Sequence, residues 1–197
     1  VTPEGESSVE DELEAWLPDP ALRVAHHRSS SASAPALWRA ACELRLNESP
    51  LLGRLIHWRI PGVPRDLPFE RLFREPPFMV LAERDRALVS GLVGRIWTLR
   101  RDYPELPDPA AFRAWERRGT ARVIIANWVA EDPRGVVLHS EARVQAIGRE
   151  GQIGVAAVRP LVAGFQQLIG TETLRAAVRR AEQGGGSGSA GGSTLME

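Results

Sequence analysis

Four histidines, one cysteine and a complete absence of lysine limit the chemistry open to this chain of 197 residues. His26 and His27 are adjacent, but neighbours on an extended segment point to opposite faces and cannot chelate one metal together. His57 falls at the end of a short predicted helix and His139 on the polar side of a predicted strand, positions that favour a solvated imidazole. Cys42 stands alone, so neither an intrachain disulfide nor a multi-cysteine metal site can form within one chain. Without lysine there is no Schiff base and no phosphate-gripping P-loop lysine. HExxH and GxSxG motifs are missing from the sequence. Gly186-Ser187-Gly188-Ser189-Ala190-Gly191 satisfies GxGxxG in letters, yet it follows a helical stretch in a Gly/Ser tail and opens no helix that would hold a pyrophosphate. The expectation is no catalytic residue, no metal and no cofactor.

Asn127 is the polar residue of most interest. It lies in the strand-like run Ala121–Ala130, and if Val123, Ile125 and Val129 face inward, period two carries Asn127 in with them. A buried amide needs a protein, water or ligand partner. The opposite phase buries Ile124, Ala126 and Trp128, so both faces of this strand are apolar enough to be covered, the second by an oligomer interface.

The elements that must position such groups follow from periodicity. Leu22–Ser31 reads as a first strand, polar enough for a sheet edge. Ser33 and Pro35 start a helix with Leu37, Ala40, Ala41 and Leu44 on one face, and Ser49-Pro50 starts a second with Leu51, Leu52, Leu55 and Ile56. A Pro-rich connection leaves room for a short strand near Glu70–Arg74. Phe78–Glu83 and Ala87–Val93 form a hairpin, residues 98–111 a loop, and Phe112–Arg117, Ala121–Ala130 and Val136–Ala146 three more strands. In the last strand Val136, Leu138, Ser140, Ala142, Val144 and Ala146 are expected to face a helix, with Val137, His139, Glu141, Arg143 and Gln145 opposite. Residues 152–182 close the chain as a long helix, with Ile153, Ala157, Leu161, Phe165, Leu168 and Ile169 near one stripe and a kink or break at Pro160.

This order is an α+β arrangement, an antiparallel sheet around a closing helix. Residues 1–17 form an acidic flexible lead outside the core, with Leu13, Trp16 and Leu17 offering a short docked helical turn at its end, 18–183 a single domain, and 184–197 a Gly/Ser-rich tail. The 25 positive and 25 negative side chains cancel, which removes the field that draws nucleic acid or anionic surfaces. Arg95, Arg100, Arg101, Arg117, Arg118 and Arg122 sit among acids and lack an aromatic stacking platform, against nucleic-acid contact. No apolar run approaches the roughly 20 residues of a membrane span, and no export signal is visible, so a cytoplasmic protein without membrane insertion is expected.

Ala34-Pro35-Ala36-Leu37-Trp38, Gly91-Leu92-Val93-Gly94-Arg95-Ile96-Trp97 and Ser140-Glu141-Ala142-Arg143-Val144, together with the element order, resemble the helix-grip superfamily. That superfamily includes START lipid-transfer domains, the birch pollen allergen family and bacterial polyketide cyclase/dehydrase-like proteins (SRPBCC). The resemblance spans roughly residues 22–182. It implies a curved sheet and helix enclosing a cavity for a lipid-like or polyketide-like molecule, and leaves activity open.

The expected function is therefore binding or transport of a small hydrophobic ligand between sheet and closing helix, with Leu55, Ile56, Val80, Leu92, Trp97, Ile125, Asn127 and Phe165 near the cavity. The Pro-rich segments 59–77 and 98–111 are placed as gates. One alternative is a cyclase or aromatase with Glu141 or His139 moving a proton, provided those groups face the cavity. Another is an interaction module with a filled core, which works through the outer face of 121–130 and forms a homodimer.

Overall fold

The computed structural model describes residues 8–48, 53–54, 64, 66–98, 102–133, 135–168 and 172–186. Helix α1 spans Val9–Trp16, strand β1 Leu22–Ser30, helix α2 Ala34–Glu43, and a 3-10 turn Leu46–Glu48. A short helix α3 at Phe69–Leu72 precedes β2 (Met79–Arg84) and β3 (Ala87–Gly94). Helix α4 (Pro109–Arg113) leads to β4 (Thr120–Asp132) and β5 (Gly135–Ile147), and two helices, α5 (Gly148–Leu168) and α6 (Leu174–Gly186), follow. The five strands form one antiparallel sheet in the order β1-β5-β4-β3-β2. The architecture is α+β, with the strand, helix, meander and closing helices of the helix-grip pattern.

Alternation gives the sheet two apolar faces. Val123, Ile125 and Val129 of β4 join Leu138, Ala142 and Val144 of β5 and Leu88 and Leu92 of β3 on an inner face covered by α2, α3, α5 and α6. Ile124, Ala126, Trp128, Val89 and Val93 form the outer face, packed against Leu13, Trp16 and Leu17 and against Phe112 of α4. The second face of β4 is thus covered by the chain itself, and the surface assigned to a partner copy is occupied by α1 and α4.

Several expectations are corrected here. The docked turn at the end of the lead is a two-turn helix, Val9–Trp16, whose anchors join the core. Ser8 caps α1 with a reciprocal box, its hydroxyl accepting from the Asp11 N–H at 3.1 Å while Asp11 accepts from the Ser8 N–H at 3.2 Å, and Leu13 and Leu17 are 0% exposed. Glu70–Arg74 is no strand, because Phe69–Leu72 is helical. Phe112–Arg117 is no strand either. Asp108 accepts from the Ala111 N–H at 2.8 Å and Pro109 occupies the first turn, which starts α4 instead. Ser33 stands at the start of α2 without a side-chain capping bond.

The closing segment is also phased differently. Helix α5 runs through Pro160 without a break, on a side where Ala156 and Pro160 are both exposed and solvent can meet the freed carbonyl. The expected stripe faces outward, with Ile153 64% and Leu161 44% exposed, and Val155 is buried instead. Two glycines set this phase. Gly148, at φ +73°, makes the tight turn out of β5, and Gly154 sits so close to the Trp97 ring that a Cβ would lie 2.2 Å from it. The helix is therefore rolled toward Trp97 by a surface only glycine can offer. No described helix is long and apolar enough to cross a membrane.

Candidate functional site

Cross-strand register brings polar residues together on the inner face. Asn127 of β4 lies opposite Ser140 of β5, and Ser140 opposite His26 of β1, so the three share one row across the sheet. One row along, Ser90 of β3 lies opposite Ile125, which lies opposite Ala142. Ser90 and Ser140 are 0% and 1% exposed, and neither hydroxyl has a hydrogen-bond partner. The His26 Nε2 is likewise buried and unpartnered. Burial holds this imidazole below its ordinary value, and Arg28 and His27 push in the same direction.

Over this row, α2 and α6 pack against each other and leave a narrow cleft. Trp38, Ala41, Phe69, Leu88, Leu138, Leu174 and Ala177 supply its apolar wall, with Asn127, Cys42, Glu70 and Thr173 set into it. Thr173, 4% exposed, has an unpartnered Oγ1. The free space is about 20 Å³, on the order of a single water. This cleft is thus mostly filled by the side chains that line it. Burial pushes the Cys42 thiol up to about 12, so it is a neutral lining group and a poor nucleophile.

Polar contacts fasten the cleft's walls. Arg74 binds Glu70 of α3 and reaches Glu83 of β2 at 2.6 and 2.9 Å, which ties Phe69 and Glu70 to the sheet and holds the Glu83 carboxyl below its usual range. At α6, Glu182 accepts from the Ser30 and Ser31 hydroxyls at 3.1 Å and from the Ser31 N–H at 3.0 Å, and Arg180 meets Glu48 at 3.0 Å. A second cleft of about 110 Å³ lies between Pro76, Pro77, Phe78, Leu92, Pro104 and Leu106, so the two Pro-rich connections meet beside β3.

The outer face is arranged differently. Arg143 and Glu141, each 2% exposed, are bonded at 2.6 Å, and Arg143 also reaches Glu14 at 2.6 Å and the Leu17 carbonyl at 3.3 Å. Arg23 donates to Glu141 at 3.0 Å. His139 stacks on Trp128 at 4.8 Å and lies 6.0 Å from His27. Burial holds His139 below the ordinary imidazole value, with His27 adding to this and Glu10, Asp132 and Glu141 opposing it.

The expected site residues separate into groups. Asn127 lines the first cleft and Leu92 the second. Val80 and Ile125 lie on the inner face within the core. Trp97 is half-buried and seated on Gly154 of α5. Leu55, Ile56 and the Phe165 side chain lie outside the described residues. Glu141 and His139 turn to the outer face, so neither reaches the cleft, and the face expected to be solvated is sealed by α1. Sequence reasoning passed over Thr173, Trp38 and the Ser140–His26 pairing. Trp38 carried a signal, one step from the buried Leu37 on α2. Among the described residues no group of three or more His, Cys, Asp or Glu is placed to hold a metal.

No family model and no curated protein matches this chain. Among solved structures, it is similar to a structural-genomics protein from Mesorhizobium loti, at 16% identity and TM-score 0.33 over 80% of this chain and 98% of that one. A Nitrosomonas europaea protein aligns at 12% identity and TM-score 0.38, over 83% and 96% of the two chains. The Zhui aromatase/cyclase of Streptomyces sp. R1128 aligns at 15% identity and TM-score 0.31, over 87% and 99%. These likenesses carry no activity across, and the fold rests on the chain's own strand order and register.

Proposed function

We propose that this protein binds or carries a small apolar molecule between the inner face of its sheet and the α2–α6 helix pair. The observation that supports this reading is the cleft itself, an apolar wall of Trp38, Phe69, Leu88, Leu138 and Leu174 with a few polar groups set into it. Closed, it has room for about one water, so a guest is admitted only when α6 lifts away from α2. The contacts that hold α6 near its C-terminal end are suited to this. Glu182 and Ser31 are exposed, and exposed pairs such as Arg180–Glu48 contribute only about 0–1 kcal/mol. Burial of a guest at about 25 cal/mol per Å² of apolar surface would offset that loss. Native mass spectrometry of protein purified from its own host is the test. The expected result is a mass increment from a copurified apolar molecule, released on denaturation. Guest-free spectra, together with no uptake of apolar probes by the folded protein, would remove the proposal.

A cyclase-type reaction is the second reading. Its two named proton carriers, Glu141 and His139, are committed to the outer face, where Glu141 is held by Arg143 and Arg23. Such chemistry would therefore have to come from inner-face groups, with His26 the imidazole on that side.

A further inference from the structure

Buried hydroxyls in a finished core find partners, because each unpaired one costs about 1–3 kcal/mol. Among the described residues, four of the six buried side-chain polar atoms without a partner lie on one side of this protein: Ser90 Oγ, Ser140 Oγ and His26 Nε2 on the inner face, and Thr173 Oγ1 in the cleft wall above it. Of the other two, Glu172 Oε2 belongs to the residue before Thr173, where a carboxylate further disfavours an anionic guest, and Trp16 Nε1 lies on the outer face. The chemistry of the hydroxyls is uniform. Serine and threonine hydroxyls both donate and accept, and Asn127, opposite Ser140, offers an amide that does the same. The carboxylate in the cleft is Glu70, which disfavours an anion, while Glu70 itself is bound to Arg74 and not free for a cationic guest. Arg28, half-buried, shares the inner face on the edge strand β1, opposite Leu138 and not in the cleft's lining.

Building on the function proposed above, we infer that the guest is an uncharged apolar molecule bearing a hydroxyl or carbonyl oxygen, and that Thr173 and Asn127 in the cleft lining, with Ser140 opposite Asn127 on the inner face, take up this oxygen. An alkane or bare aromatic would leave the hydroxyls unpaired. A carboxylate would lose its hydration without a cation to replace it in the cleft. The hydroxyls cost stability in the empty protein and return it as affinity and selectivity when the oxygen arrives.

The test uses the intact protein with three probes of one shape, naphthalene, 2-naphthol and 2-naphthoate, titrated calorimetrically at neutral pH. 2-Naphthol is expected to bind about tenfold more tightly than either of the others, the equivalent of about 1.4 kcal/mol. Thr173→Val and Ser140→Ala are expected to erase that preference by weakening 2-naphthol to the level of naphthalene, and to raise the melting temperature by a few degrees. A structural role for the hydroxyls would lower the melting temperature instead, and that result overturns the inference. Tightest binding by 2-naphthoate, lost in Arg28→Ala, overturns it in favour of an anionic guest. Equal binding of naphthalene and 2-naphthol overturns it while leaving the apolar cleft intact. Binding of no probe by the folded protein removes the cleft reading and this inference together.

Discussion

The two faces of the sheet bury polar groups in opposite ways. On the outer face Arg143 and Glu141 are as deeply buried as any core leucine, and each is bonded: Arg143 to Glu141, Glu14 and the Leu17 carbonyl, Glu141 to Arg143 and Arg23. On the inner face Ser90 and Ser140 are equally buried and bonded to nothing. The outer network fixes α1 against the sheet and serves the fold. Ser30, also on the inner face, bonds Glu182 and serves the fold, whereas the Ser90 and Ser140 hydroxyls make no such contact, which is why a guest is the economical account of those two.

This contrast is open to direct attack. Arg143→Ala leaves the Glu141 carboxylate buried with only the half-exposed Arg23 beside it, and is expected to cost about 3–5 kcal/mol in urea denaturation. A loss below about 1 kcal/mol would show that the outer network is ornamental and dissolve the distinction. Gly154→Ala drives a methyl against the Trp97 ring and is expected to cost about 1–3 kcal/mol, despite alanine's better helix propensity. A neutral result would mean that α5 is not seated where Trp97 places it. Ser90→Ala has the opposite sign, with a gain of about 1 kcal/mol because an unpartnered hydroxyl is removed from a site that is 0% exposed. Destabilisation by this change would make Ser90 part of the fold and erase the asymmetry between faces.

The smallest effect is a pH dependence common to both faces. His26 and His139 are each held below the ordinary 6.5 by burial, so the unfolded chain takes up protons as the pH falls through 6.5 while the folded chain resists. Stability is therefore full above about pH 6.5 and declines as pH drops below it. The carboxylates held low, Glu83 and Glu182, add their own loss only as pH falls below 4.5. Urea midpoints at pH 7.5 and 5.5 are expected to show the histidine decline, reduced in His139→Gln; equal midpoints would contradict the burial of both imidazoles.

Much of the sheet was legible in the sequence, because its signals are local. Two apolar runs separated by the charged Arg84-Asp85-Arg86 mark the β2–β3 hairpin, and β5 alternates so cleanly that Ser140 fell on the correct face. Failures came where a local signal was outweighed or a partner was remote. Phe112 drew a strand assignment although Asp108-Pro109 is a helix start. Leu13, Trp16 and Leu17 signalled a docked turn, but the acidic run at Glu10, Asp11 and Glu12 concealed the Ser8–Asp11 box that starts the helix at Val9. For the polar residues on β5 to be recognised as buried, α1 had to be known to lie on them, and nothing near residue 141 says so. The site was less visible than the fold for the same reason. That Ser140 stands beside Asn127 and His26 depends on strand offset, and Thr173 reaches the cleft only through the packing of α6 on α2.

The pairing of β1 with β5 sets a demand on synthesis. Leu22–Ser30 emerges well before Gly135–Ile147, its neighbour in the sheet among the described strands, so the edge must wait while the intervening hundred or so residues are translated, roughly 5–20 s at 5–20 residues per second. Throughout that interval the nascent segment has no partner for its backbone amides and carbonyls. Its composition, with His26, His27, Arg28, Ser29 and Ser30 in one run, keeps it hydrated and slow to aggregate until the last strand leaves the ribosome. An edge made polar for solubility in the finished protein thus also protects the chain before it is finished.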